Sequence, residues 1–451
     1  MNQDRLIAFF VRVYCLSWAF DFRGAEDGGS LVQYLFFAVT VGAAAVVMVL
    51  GFRSLLVRPG GWMFLIWGLY LASTSAVARI NHVEPGWYLR NSMQPLLVLL
   101  SMGVTLVAAG RGLSWRVVLV PMLIAGVVNV IWRSLYSLVV VGVSIEKVRV
   151  EMLSQCLPFL LAFLFTALAL RVRGLFWPLV VGGIGIASYV LSVTRSAIFI
   201  ILAELAACVL AWWKARALGV LPRDFRQRKL THLCIGGAGL VGILGLLAVA
   251  APFVFERWTE RLFYSVGSEY TSTDPSALTR FAETQAFADL MLAEPASFIY
   301  GLGLGHPYYW DESYIPELVY TYGDPNELRT FCADIRFPGH SIWTYALFSG
   351  GIVGLCFYLV LFFGSTVMAW RSARLLAAVP RFPVDVAFLP FVAMIGFLSL
   401  SFTFNPFIER ASSIALGVVI AFPQFLVMQA WEARRTAVYR PVVLEGRLVT
   451  G

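Results

Sequence analysis

Charge is scarce in this chain: 13% of its 451 residues are Asp, Glu, Lys or Arg, against 59% hydrophobic, and mean hydropathy is +0.79. A soluble globule carries roughly 25% charged residues, so the composition excludes that class. Histidine and cysteine are equally sparse. Four histidines and six scattered cysteines, with no CxxC pair, no cluster of His and Cys and no acidic triplet, imply neither a disulfide framework nor a metal site, and no cofactor is suggested. Internal repeats are missing, as are the matched Pro/Gly-interrupted helix pairs that transporters use. Few ionisable residues lie inside the apolar runs, whereas ion pathways usually leave several there.

What is abundant is long hydrophobic sequence. About 20 largely apolar residues cross the roughly 30 Å hydrocarbon core as a helix, because backbone groups must be satisfied internally there. The chain offers twelve such runs: Leu6–Phe20, Leu31–Gly51, Gly61–Ala78, Met93–Ala109, Val117–Val141, Leu153–Leu170, Leu175–Val193, Ser196–Trp213, His232–Pro252, Ser341–Trp370, Val384–Phe404 and Ser412–Met428. The fold class is therefore an all-α polytopic membrane protein. The first run is short and contains Arg12, so it is tilted, snorkelling or partly interfacial. It lacks the basic start and A-x-A-like site of a cleaved signal peptide.

Lysine and arginine in short loops set orientation, since basic residues stay on the cytoplasmic side. Basic connections alternate along the chain: Arg53 and Arg58; Arg111 and Arg116; Arg171 and Arg173; Lys214 to Lys229; Arg371, Arg374 and Arg381; Arg434, Arg435 and Arg440. The intervening connections are acidic, mixed or very short and face outward. The net charge of +8 is thus mostly positive-inside bias and contact with anionic membrane lipids, and it calls for no nucleic-acid partner.

One polar stretch, Val254 to Gly339, interrupts the apolar pattern. It holds 13 of the 26 acidic residues, five arginines, no lysine and eight of the 17 tyrosines. The chain divides accordingly into nine spans over 1–253, a large outer loop with helical segments over 254–339, three spans over 340–432 and a cytoplasmic tail over 433–451. Inside the loop, apolar residues at Leu278, Phe281, Ala282, Phe287, Leu290 and Met291 predict an amphipathic helix beginning near Ser276, with Arg280 and Glu283 one turn apart. Glu294-Pro295 ends that helix and Gly301-Leu302-Gly303-Leu304-Gly305 makes a flexible turn. A glycine-rich loop can offer N–H groups to a phosphate, although an ordinary loop is the simpler reading here. His340 follows Pro338-Gly339 at the outward mouth of the tenth span.

His340-Ser341, nine residues, then Gly351-Ile352-Val353-Gly354 resembles the H-[N/S/Q]-x9-G-x-x-G signature of the O-antigen ligase and polymerase superfamily, WaaL and Wzy, which includes bacterial O-oligosaccharyltransferases. Val193-Thr194-Arg195-Ser196 is similar to that family's T-x-S-R-G segment, with Ala197 where glycine often stands. Thr279-Arg280, Glu294-Pro295 and the glycine run are similar to its R…P-x-x-G-x-G-x-G segment, with a longer spacing after Pro295. The likeness covers roughly residues 182 to 364.

The resemblance implies a GT-C-like, metal-independent, inverting glycosyltransferase of the bacterial inner membrane. Its donor would be an undecaprenyl-pyrophosphate-linked glycan, its active site would face the periplasm, and its acceptor would be lipid A-core for a ligase or another lipid-linked glycan for a polymerase. Arg195 and Arg280 would hold the pyrophosphate, because guanidinium stays charged and grips phosphate oxygens in a fork. His340 would take the acceptor proton or orient the hydroxyl. Glu283, His306, Arg336, Tyr308 and Trp310 are candidate substrate contacts, with Tyr309 beside them, although packing accounts for most such aromatics. On position alone Arg195 anchors a helix end, and Arg280 pairs with Glu283 at i, i+3. A lipid-linked sugar flippase and a non-catalytic scaffold are the competing classes.

Overall fold

The computed structural model describes residues 3–21, 31–56, 61–136, 154, 156–171, 174–192, 194–221, 242, 245, 256, 258, 275–314, 336, 339, 341–377, 379, 382–403, 405–407 and 409–438. Those residues are almost all helical. In chain order the helices are α1 (Gln3–Leu16), α2 (Leu31–Leu56), α3 (Gly61–Ile80), α4 (Pro85–Gly110), α5 (Arg116–Tyr136), α6 (Leu157–Leu170), α7 (Phe176–Ser192), α8 (Arg195–Ala217), α9 (Pro275–Ala293), α10 (Ser297–Tyr300), α11 (Ile342–Leu359), α12 (Ser365–Ala377), α13 (Val384–Thr403) and α14 (Arg410–Val438). One π turn, Val360–Gly364, joins α11 to α12. Among the described residues the only β pairing is a single bridge between Tyr308 and Arg336.

Among the described residues eight helical stretches are long and apolar enough to cross a membrane: Tyr34–Leu55, Gly61–Ile80, Pro85–Gly110, Arg116–Tyr136, Ala197–Ala217, Ile342–Ala377, Val384–Phe402 and Arg410–Trp431. The sixth and seventh expected spans are the shorter apolar helices Leu157–Leu170 and Phe176–Ser192. The first expected run forms α1, only 14 residues long, or about 21 Å at 1.5 Å per residue. The ninth, His232 to Pro252, lies outside the described residues apart from two helical glycines, Gly242 and Gly245.

Helices in lipid associate where small residues let backbones approach, because apolar burial alone does not favour protein over lipid tails. That is how the centre is built. The long α14 is buried over nearly its whole apolar length and runs along α4. A Cβ on Gly417 of α14 would sit 2.5 Å from the Val98 carbonyl oxygen of α4, and one on Gly51 of α2 would sit 2.1 Å from Val107 of α4. The α4 backbone is thus gripped from two sides. A second layer packs α13 against α6 and α8.

Polar contacts collect at the two ends of the bundle. At one end Arg111 pairs with Asp4 at 3.2 Å, Arg171 with Asp385 at 2.5 Å, and the Gln429 amide donates to the Leu113 carbonyl. At the other, Arg133 pairs with Glu409 at 2.6 Å and Arg410 with Asp21 at 3.4 Å, while Asn129 donates to the Asp21 carbonyl at 2.8 Å. The first end carries the loops read as basic. The second carries the polar segment and is called the mouth below.

Candidate active site at the mouth of the bundle

The polar segment is held to the bundle by two matched breaks in helical geometry. Gly351 lies in the middle of α11 at φ +61°, a left-handed conformation that kinks the helix and releases the carbonyls preceding it. The Phe348 and Ser349 carbonyls accept from the N–H groups of Leu302 and Gly303, at 2.8 and 2.9 Å. Contact is so close that a Cβ on Gly351 would lie 2.3 Å from the Ile299 carbonyl, and a Cβ on Gly301, at φ +74°, 2.3 Å from the Ser349 carbonyl carbon. The Leu302 carbonyl in turn accepts from Asn81 at the end of α3, at 3.0 Å. Two glycine motifs far apart in sequence therefore form one lock.

The lock seats a small apolar core separate from the membrane-spanning one. Ala282, Ala286, Phe287 and Met291 supply the buried face of α9, and Leu302, Leu304, Tyr308 and Trp310 meet it from the following segment, with Tyr345 and Phe348 from α11. Phe287 stacks on Phe348 with ring centroids 4.1 Å apart and meets Tyr308 edge-on at 4.7 Å. The helix α9 begins at Pro275, one residue before the expected start, consistent with proline's fitness for the first helical position.

Glu283 projects from this core toward the mouth and is 1% exposed. Its carboxylate accepts from the Tyr308 hydroxyl at 3.2 Å and from the backbone N–H of Ser341 at 3.4 Å. Ser341 is the cap of α11, so the acid ties α9 to the start of the spanning helix. On the other side of the same turn, Asn405 donates to the Gly339 carbonyl at 2.7 Å and accepts from the Phe407 N–H at 2.9 Å. Position 340 is thus flanked by two backbone groups, each held by a buried side chain from a different element.

Burial drives the Tyr308 phenol far above its ordinary range; the Glu283 charge and the hydrogen bond to it push the same way, and Arg336 opposes them. Tyr308 is consequently a neutral donor that keeps Glu283 in place. Tyr308 also exchanges both backbone hydrogen bonds with Arg336, at 2.8 and 3.0 Å, and the Arg336 guanidinium lies 3.9 Å over the Trp310 ring, within cation–π range. Burial lowers the proton affinity of His306, while the Pro307 carbonyl, 2.9 Å from Nδ1, and Glu294 raise it.

The expected site residues divide as follows. Glu283, Tyr308, Trp310 and Arg336 come together, with half-buried Arg280 one turn back on α9 and His306 edge-on to Phe348. Tyr308 and Trp310 are 1% and 4% exposed, so their rings are packing surfaces and not open platforms for a sugar; Tyr309 alone of the three is exposed. Arg195 is the first residue of α8, and its side chain lies outside the described residues, as does His340. Cys332 also lies outside them. Among the described residues no three of His, Cys, Asp and Glu gather in a way that would hold a metal ion.

No family model matches the chain, and no curated protein matches it.

Sequence reasoning missed Asn405, although Asn405-Pro406 is a turn signal. It also passed over Arg133 and Glu409, whose side chains are 2% and 7% exposed. The available signal was an arginine inside an apolar run, since ionisable residues at membrane depth pair with one another.

Proposed function

We propose that this protein is a membrane glycosyltransferase of the O-antigen ligase type, moving a glycan from undecaprenyl pyrophosphate to lipid A-core on the periplasmic face of a bacterial inner membrane. The observation that supports this reading best is the Glu283 carboxylate, which joins the helix of Arg280, the Tyr308–Arg336 bridge and the turn leading from His340 into α11. Two of the three stretches that carry the sequence resemblance thereby meet at one end of the bundle.

In this reading an acceptor hydroxyl attacks the anomeric carbon while the bond to the pyrophosphate breaks, inverting the centre in one displacement. His340 takes the hydroxyl proton, and Arg195 and Arg280 neutralise charge building on the leaving group, a type of contribution commonly worth several kcal/mol of barrier. Glu283 and Asn405 serve as positioning residues. The glycine lock spends the N–H groups of Leu302 and Gly303 on α11 carbonyls, so phosphate recognition falls to the arginines.

The test is a deletion strain, its surface glycans run on a gel and its lipid-linked glycans extracted. A core without repeats, with long chains accumulating on undecaprenyl pyrophosphate, supports the ligase. A single repeat on the core with no ladder identifies a polymerase using the same chemistry, and an unchanged profile sinks both. Complementation with His340→Ala should restore a stable, inserted protein and no transfer; full transfer would remove the histidine from its role.

A further inference from the structure

Glu204 lies on the membrane-spanning part of α8, nine residues after its first, about 14 Å along a helix that rises 1.5 Å per residue. That depth is near the middle of a hydrocarbon core roughly 30 Å thick. The side chain turns away from the lipid-facing surface of α8, where Leu202, Leu205 and Val209 are exposed, and is itself 0% exposed. Among the described residues neither carboxyl oxygen has a hydrogen-bond partner. It is not part of the mouth, and the transfer chemistry proposed there makes no use of it.

The surroundings are shaped to house the group. A Cβ on Gly396 of α13 would lie 2.0 Å from Oε1 and 2.9 Å from the carboxyl carbon of Glu204, and 3.0 Å from Pro158 of α6. Only a residue without a side chain leaves that notch open. The titratable groups beside it among the described residues are the buried Tyr189 of α7 and Cys208 one turn along α8 itself; α6 and α13 present Pro158 and Gly396 there, and none of these is a cation. An isolated carboxylate in so apolar a place is excluded by its desolvation cost, whereas the neutral acid is tolerated. Ionisable residues at this depth are rare and mark pathways and relays when they occur.

We propose that Glu204 is an intramembrane proton-binding site, a neutral carboxylic acid seated in the notch at Gly396. The ligand class is the proton. Releasing it would place a bare charge in the seam between α8 and α13, so ionisation is coupled to the parting of those two helices.

The test is infrared spectroscopy of the full-length protein in lipid nanodiscs at mildly alkaline pH, where exposed carboxyls are ionised. The wild-type protein should show the carbonyl stretch of a protonated acid. It should vanish in Glu204→Gln, which keeps the shape and neutrality of the acid, and persist in Glu294→Gln, which alters an exposed carboxyl. A wild-type minus Glu204→Gln difference containing only carboxylate stretches overturns the proposal. In Gly396→Ala the new methyl must displace the acid, so the band should shift in frequency; a band left unmoved would refute the notch.

Discussion

Replacing Gly301 by alanine, with Gly174→Ala as its control, separates the two costs that the glycine lock combines. Both residues sit at nearly the same positive φ, +74° and +72°, but Gly301 combines it with ψ −173°, a region essentially reserved for glycine, so an alanine costs about 1–2 kcal/mol at Gly174 and about 1–3 kcal/mol at Gly301. Around Gly174 a Cβ meets nothing within 4 Å, and the penalty ends there. At Gly301 the Cβ lands 2.3 Å from the Ser349 carbonyl carbon and 2.4 Å from the Gly350 nitrogen, backbone atoms that no rotamer change can move. Relief requires the segment to lift from α11, which breaks the bonds from Leu302 to Phe348 and from Gly303 to Ser349. Leaving buried polar groups unpaired costs about 1–3 kcal/mol for each bond lost, so Gly301→Ala should cost about 3–9 kcal/mol against about 1–2 for the control. Hydrogen exchange at the Leu302 and Gly303 amides in nanodiscs reads this directly. A loss of 3 kcal/mol corresponds to roughly a 100-fold faster opening-limited exchange, at 1.4 kcal/mol per tenfold, while Gly174→Ala should leave those amides as protected as in wild type. Equal exchange in the two variants would refute the lock.

Three further outcomes are expected. Glu409→Gln should lower stability by about 3–5 kcal/mol, because it removes the carboxylate charge 2.6 Å from the buried Arg133 guanidinium; joint replacement of Arg133 and Glu409 by leucine should recover part of the loss, and a thermal midpoint unaffected by the single change would show that the pair is not desolvated. Asn405→Ala leaves the Gly339 carbonyl and the Phe407 N–H without their side-chain partner, for about 1–3 kcal/mol each; transfer should fall while membrane insertion holds, and wild-type transfer would deny Asn405 a positioning role. His306 binds a proton less readily folded than at its ordinary value of 6.5, so below that pH the unfolded chain takes up the proton first. Stability should therefore fall as pH drops through 6.5, and His306→Asn should flatten the profile; an unchanged slope in the variant would show that another group sets it.

The apolar runs were legible because hydrocarbon imposes a length and a composition that any reader can count, and most of the expected runs reappear as helices. Length was less legible. The sixth run continues from Leu153 only by composition, whereas α6 starts at Leu157 with Pro158 in its first turn, after the buried Ser154 hydroxyl has turned to Asn129 at 2.6 Å. The seventh run, Leu175–Val193, reappears with one residue less at each end as α7, which begins after Gly174 at φ +72°. At the mouth, residue types were readable and pairings were not. Arg280 and Glu283 are one turn apart, but that spacing says nothing of Tyr308 and Ser341, residues 25 and 58 positions away, which Glu283 also reaches. Spacing along a helix reports neighbours on that helix only, and long-range partners depend on where the next element docks.

The glycine run shows how far composition can mislead about chemistry. Five residues with three glycines advertise free N–H groups, which suits a phosphate and a tight turn equally well. The positive φ values at Gly301, Gly303 and Gly305 belong to the turn, and close approach to Ser349, Ala78 and Trp87 backbone explains why no side chain is tolerated at any of them. Once Leu302 and Gly303 donate to α11, the loop's part in the proposed pyrophosphate site is indirect: it fixes α11 at its kink, and α11 is capped by Ser341, whose N–H is held by Glu283. A rigid route then runs from the loop through α11 to the turn at position 340. Preorganisation of that kind lowers a barrier only if the groups it aims are charged or proton-accepting. The glycines can set such a geometry but cannot supply the charge, which the proposed transfer assigns to Arg195 and Arg280.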